Sequence, residues 1–128
     1  MSNATAPHTA AYRRGEVLAA TPGQLVVLLY DAARRFLRQA AAAMAEGEVE
    51  RAHNSLRYAE RIVAHLDGTL DFAQGDVSQR LHTIYGFMLV HLGSARVEQD
   101  VAKVEQVNDM LGELREAWSQ VAAEVEQG

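Results

Sequence analysis

Glu50 and His53 stand three residues apart, the carboxylate–imidazole spacing that puts both side chains on one helix face. Carboxylate-bridged di-iron bundles use this spacing, but such a centre needs two such pairs and two further inward glutamates. His8, His65, His82 and His91 have no glutamate three residues before them, so the pair stands alone and is expected on a solvated face, with no metal and no cofactor. Asp67 and Asp71 are close enough in sequence to pair as acid and base. Nothing beside them supplies an oxyanion donor, and both read as residues near a helix end. Arg34, Arg35 and Arg38 form a small basic cluster that reads as solvated surface. The chain has no cysteine, which removes thiolate ligands, a cysteine nucleophile and disulfides. It also has no phosphate-cradling glycine loop and no nucleophile elbow. These residues make no catalytic site, and the chain is expected to bind rather than to catalyse.

The elements that must position these side chains are helical. Of 128 residues, 48% are apolar, enough for one core and too few residues for two domains. The two prolines, Pro7 and Pro22, both lie near the start, so nothing after Pro22 breaks a helix by ring geometry. Residues 1–11 are small and polar and are expected to form a disordered tail, with one helical domain over 12–128. Thr21-Pro22 is a helix start, a capping hydroxyl followed by proline at the first helical position. Helix 1 is predicted from there to about Ala45, with the stripe Leu25, Leu28, Leu29, Ala32, Phe36, Ala40 and Met44. Gly47 is the expected C-terminal cap. Helix 2 is predicted over Val49–Leu70, with the stripe Val49, Ala52, Leu56, Ala59, Val63, Leu66 and Leu70. Helix 3 is predicted over Val77–Val97, capped by Asp76. Helix 4 is predicted from an Asp100 cap to about Glu126, with Val101, Val104, Val107, Leu111, Leu114, Trp118, Val121 and Val125 close to a heptad seam. Long helices of similar length joined by short loops imply an all-α, up-down-up-down antiparallel four-helix bundle. The alanine run 40–43 suits close helix packing.

Apolar residues exceed what such a core needs. In helix 3, Leu81, Ile84, Tyr85, Met88 and Leu92 suffice to face a core, which leaves Phe87, Leu89 and Val90 pointing elsewhere. Val26, Val27 and Tyr30 in helix 1, and Tyr58 and Ile62 in helix 2, lie outside the densest stripes. Some of these side chains should line surface grooves, and a contiguous exposed apolar patch marks a binding site. The short segment Tyr12–Ala20, with apolar Tyr12, Val17 and Leu18, is too short to be a helix on its own but could dock over such a groove. A net charge of −5 argues against nucleic acid. No stretch is long and apolar enough to span a bilayer, and the first residues lack the pattern of a signal peptide. The chain therefore reads as cytoplasmic.

Tyr12, Thr21-Pro22 followed by Leu28-Leu29-Tyr30-Asp31, Leu66 with Leu70-Asp71, Ile84-Tyr85-x-Phe87, and Leu111 with Leu114-Arg115-Glu116-Ala117-Trp118 stand in an order that resembles the flagellar export chaperone family, FliS. The resemblance runs from Tyr12 to Trp118. Ala32 and Arg96 depart from the family, which often has glycine and asparagine there. The resemblance implies a bundle that binds the disordered C-terminal region of flagellin, prevents premature polymerisation in the cytoplasm and delivers the subunit to the export gate protein FlhA. It implies no enzyme activity and a monomer or weak homodimer. Groove candidates are the exposed members among Tyr58, Ile62, Ile84, Tyr85, Phe87, Met88, Leu111, Leu114 and Trp118. Tyr12, Val17 and Leu18 are candidates for a displaceable cap. A generic helical adaptor or homodimeric module with another client is the rival expectation.

Overall fold

The computed structural model describes residues 22–127. The expected tail (1–11) and cap (Tyr12, Val17, Leu18) lie outside the described residues. Four long helices follow one another: α1 (Pro22–Ala45), α2 (Val49–Gly68), α3 (Asp76–Glu98) and α4 (Val101–Gln127), with a 3-10 turn at Phe72–Gln74 before α3. There is no strand among the described residues. Each helix packs on its chain neighbours and α4 closes back on α1, so the four make a ring. The α1–α2 and α1–α4 seams are the most extensive and α3–α4 the least.

Cross-helix pairs fix the directions. Asp31 meets Arg115 and Arg34 meets Asn108, so residue numbers rise on α1 as they fall on α4. The same inverse relation holds between α2 and α3, where Glu60 pairs with Arg96 and Asp67 with His82. It holds again between α3 and α4, where Ser94 meets Lys103 and His91 meets Gln106. The bundle is therefore antiparallel at these seams. The Phe36–Tyr58 stack joins α1 to α2.

The connections are built by backbone hydrogen bonding that the turn residues permit. Gly47 has φ +73°; its N–H bonds Met44 O, and the Glu48 N–H reaches Ala43 O at 2.8 Å, which closes the end of α1 in a Schellman motif. Gln99 takes the same left-handed conformation at the end of α3 without being glycine, and its side-chain amide donates to Arg96 O. Asp100 caps α4 by accepting from the Ala102 N–H at 3.0 Å. Before α3 the capping position is held by Gly75 rather than by Asp76, and Asp71 caps the 3-10 turn instead, accepting from the Ala73 N–H.

The core follows one stripe per helix. α2 buries Ala52, Leu56, Ala59, Val63 and Leu66, and α4 buries Val104, Val107 and Leu111. α3 buries Leu81, Tyr85, Met88, Leu92 and Ala95. In α1 the phase differs from expectation: Tyr30, Ala33, Leu37, Ala40, Ala43 and Met44 are buried, Leu25 is exposed, and Leu29 and Phe36 pack only partly. Both phases of α1 are apolar, so leucine density alone selected the wrong one. Tyr30 can enter the core because its hydroxyl finds the Tyr85 hydroxyl at 2.5 Å across the bundle. Alanines on α1 and α2 let those two backbones approach closely.

Candidate functional site: an apolar surface on the third helix

α3 differs from the other helices in its pattern. From Leu81 to Ala95 it carries no Asp, Glu, Lys or Arg, and its apolar residues ring the helix rather than keep to one face. A helix that is apolar all round is ordinarily covered on all sides. Here one side is not covered by the described residues: Phe87 is 50% exposed and Val90 76%, and Val77 and Val97 are also exposed.

Beside this uncovered side lies a groove of about 380 Å³ between α3 and α4, lined by Val77, Leu81, Leu114, Ala117, Trp118 and Val121. All six residues are apolar. Val77, Leu81 and Trp118 also line a second hollow of about 290 Å³, where Val26 of α1, Leu66 of α2, Tyr85 of α3 and Leu70 of the connection after α2 complete its walls. The two hollows adjoin at these shared residues. Phe87 stacks on His91 at 4.9 Å, and His91 in turn bonds Gln106 of α4 at 2.6 Å, which places Phe87 on the α4-facing flank. Ile84, three residues before Phe87 and seven before His91, shares that flank by helical spacing.

Trp118 joins this surface to the core. Its ring is partly buried against the core and lines both hollows. The Tyr30 and Tyr85 hydroxyls form a polar pair in the core beneath it. Burial pushes the Tyr30 hydroxyl above its ordinary range, against the opposing effect of Tyr85 and Trp118 beside it. Burial raises Tyr85 further, and the neighbouring Tyr30 and the Asp67 carboxylate add to it. Both hydroxyls stay protonated at neutral pH and serve as fixed hydrogen-bonding groups, not as acids.

The groove candidates therefore separate into three sets. Tyr85, Met88 and Leu111 are buried in the core, the first two on the inward stripe of α3 and Leu111 in line with Val104 and Val107 of α4, and Tyr85 also forms part of the wall of the second hollow. Leu114 and Trp118 line the α3–α4 groove, and Ile84 and Phe87 lie on the α4-facing flank of α3. Tyr58 and Ile62 lie elsewhere: Tyr58 stacks on Phe36 across the α1–α2 seam, and Ile62 follows it one turn later. Sequence reasoning passed over Val77, Ala117 and, as a groove member, Val121. The signal for them was the lack of charge on α3 combined with the late heptad positions of α4.

The candidates for chemistry do not assemble. His82 Nδ1 and Asp67 Oδ1 are 2.7 Å apart on the exposed α2–α3 seam, far in sequence from the Glu50–His53 pair. Among the described residues no three His, Cys, Asp or Glu side chains converge on a point that could hold a metal ion. Among them, too, no helix is long and apolar enough to cross a membrane.

The described residues thus form an antiparallel helical bundle with exposed apolar side chains on α3 and an apolar groove between α3 and α4, and no catalytic cluster is assembled among them. Comparison with known proteins gives the family. The family model described as "Flagellar protein FliS" matches residues 4–125, and the chain belongs to that family. It is similar to the flagellar secretion chaperone FliS of Bacillus subtilis (strain 168), 32% identical over 114 residues that cover 89% of this chain and 84% of the relative. It is also similar to the protein of that name from Salmonella typhimurium, 30% identical over 108 residues that cover 83% and 80%. The protein of that name from Vibrio cholerae is 28% identical over 110 residues. The family is one of flagellar export chaperones, not of enzymes.

Proposed function

We propose that this chain binds the disordered C-terminal region of flagellin in the cytoplasm, prevents its premature polymerisation and delivers it to the export gate protein FlhA. The observation that carries this reading is the apolar side of α3 that the described residues leave exposed, together with the α3–α4 groove, in a member of a secretion chaperone family. An amphipathic segment that is disordered when free can fold into such a groove and cover Phe87, Val90, Leu114 and Trp118. Its ordering entropy offsets part of the gain from burial, which keeps the complex reversible and allows release at the gate. Before the client arrives, the segment carrying Tyr12, Val17 and Leu18 covers part of the same surface and is then displaced.

Calorimetric titration with the C-terminal segment of flagellin from the same organism tests both statements. Tight one-to-one binding with a large negative heat-capacity change supports coupled folding onto apolar surface. A chain lacking residues 1–18 should bind the segment more tightly; an unchanged affinity rejects the cap and leaves the client reading intact. Absence of any binding heat at several temperatures rejects the client.

A further inference from the structure

The side of the ring opposite the α3–α4 groove carries a surface of another kind. Across the α1–α2 seam Phe36 and Tyr58 stack with centroids 5.0 Å apart and planes 22° from parallel. Tyr58 is 51% exposed. The Arg35 guanidinium lies over the Phe36 ring and that of Arg61 over the Tyr58 ring, each with Cζ 5.9 Å from the centroid. Arg57 and Arg61 border Tyr58 in a shallow hollow of about 320 Å³ completed by Asn54.

None of Arg35, Arg57 and Arg61 makes an ion pair among the described residues. The other pairs on the molecule are made by Arg51, His82, Arg96, Lys103 and Arg115. Three unpaired guanidiniums around an exposed aromatic stack are unusual in a chain of net charge −5. The compensating carboxylates sit elsewhere: Glu105, Asp109, Glu113 and Glu116 line the exposed side of α4, the helix diagonal to α2 in the ring.

The chemistry that fits is specific. The cation–π contacts hold Arg35 and Arg61 beside the rings, and a guanidinium N–H edge matches a carboxylate with two parallel hydrogen bonds. The stack between them offers an apolar, rigid anchor of the type that dominates peptide interfaces. The patch is too small, and the molecule too acidic, to track a phosphate backbone.

We propose that the Phe36–Tyr58 stack and Arg35, Arg57 and Arg61 form a second docking surface, which binds an acidic peptide segment of another protein with a large apolar side chain set between carboxylates. The ring order puts this surface on the side away from the α3–α4 groove, so it stays free when the client is bound. Only that simultaneity rests on the proposed client site; the surface itself does not.

The test is fluorescence anisotropy with a labelled synthetic peptide in which Glu alternates with Leu and Phe, and a control peptide with Lys in place of Glu. The wild-type chain should bind the acidic peptide and not the basic one, despite its own negative charge. Binding should weaken as salt rises from about 50 mM to about 300 mM. Arg35→Glu/Arg61→Glu should weaken it at least about tenfold, and Tyr58→Ala about fivefold. Arg35→Gln/Arg61→Gln repeats the test without charge reversal if the first variant melts early by circular dichroism. The client titration run on the same variants keeps the two proposals apart, since it should not change. The inference is overturned if the double variants bind the acidic peptide as the wild type does. It is also overturned if single-stranded DNA of equal charge binds more tightly than the peptide. A mass that doubles with concentration in the wild type and not in the variants would assign the face to the acidic α4 side of a second copy instead.

Discussion

Tyr30 and Tyr85 are polar-tipped side chains that meet in the core, and they help decide how α1 and α3 hold together there. Tyr30 is wholly buried, and its hydroxyl shares a 2.5 Å bond with that of Tyr85. Tyr30→Phe removes that hydroxyl and leaves the buried Tyr85 hydroxyl short of its partner, at a cost of about 1–3 kcal/mol near neutral pH. The same pair makes stability depend on alkali. An unfolded tyrosine loses its proton near pH 10, while burial holds both folded hydroxyls above that. Below about pH 10 neither state gives up a proton and the pair adds no pH dependence. Above it the unfolded chain sheds protons that the folded chain keeps, so stability falls as pH rises. In Tyr30→Phe one of these two groups is gone and the fall should be about half as steep. Urea unfolding between pH 8 and pH 11.5 measures both effects; equal slopes for the two proteins would show that the buried pair does not govern alkaline loss. Little of this pair was legible in the sequence. Tyr30 looked surplus to the core because its burial depends on a hydroxyl partner 55 residues away, which no local pattern reports.

At the scale of elements the sequence reads more plainly, and for physical reasons. Helix ends are written by local chemistry: a proline at position 22, a glycine able to take positive φ at 47 and an aspartate cap at 100 each act within a few residues. The phase of a helix is written only where one face alone is apolar. α2 meets that condition and its stripe from Ala52 to Leu66 is buried as spaced; α1 does not, and its buried stripe runs through Tyr30, Ala33 and Leu37 instead. In α3 the same ambiguity leaves a second apolar face, the one proposed to take the client. Val90 probes that second face without disturbing the first. Its side chain is mostly in water, so Val90→Glu should change stability by no more than about 0.5 kcal/mol. If the client helix lies over α3, the new carboxylate is buried without a partner and affinity for the flagellin segment should drop at least about tenfold. Matched calorimetric titrations and thermal melts decide it; full affinity in the variant would move the client off this face of α3.

The whole molecule has a polarity that no single helix reveals. α3 is uncharged over its middle, α4 presents carboxylates, and the α1–α2 seam presents unpaired arginines around an aromatic stack. The sequence held each of these segments, but their mutual placement comes from the ring order, in which α1–α2 and α3–α4 are opposite sides. That order puts the proposed client groove and the proposed acidic-peptide surface on opposite sides of the core, so neither partner need displace the other. The two sites also differ in their dependence on salt. Screening weakens contacts between exposed charges and hardly touches apolar burial. A preformed complex of this chain with the flagellin segment should therefore bind the acidic peptide with the affinity of the free chain, within about twofold, since distant sites without a shared two-state element do not couple. Raising the salt should release the peptide and leave the segment bound. Anisotropy of the labelled peptide titrated with free and client-loaded chain measures this directly. If the loaded chain binds the peptide tenfold more weakly, the client reaches round to the arginine side and one continuous surface serves both partners.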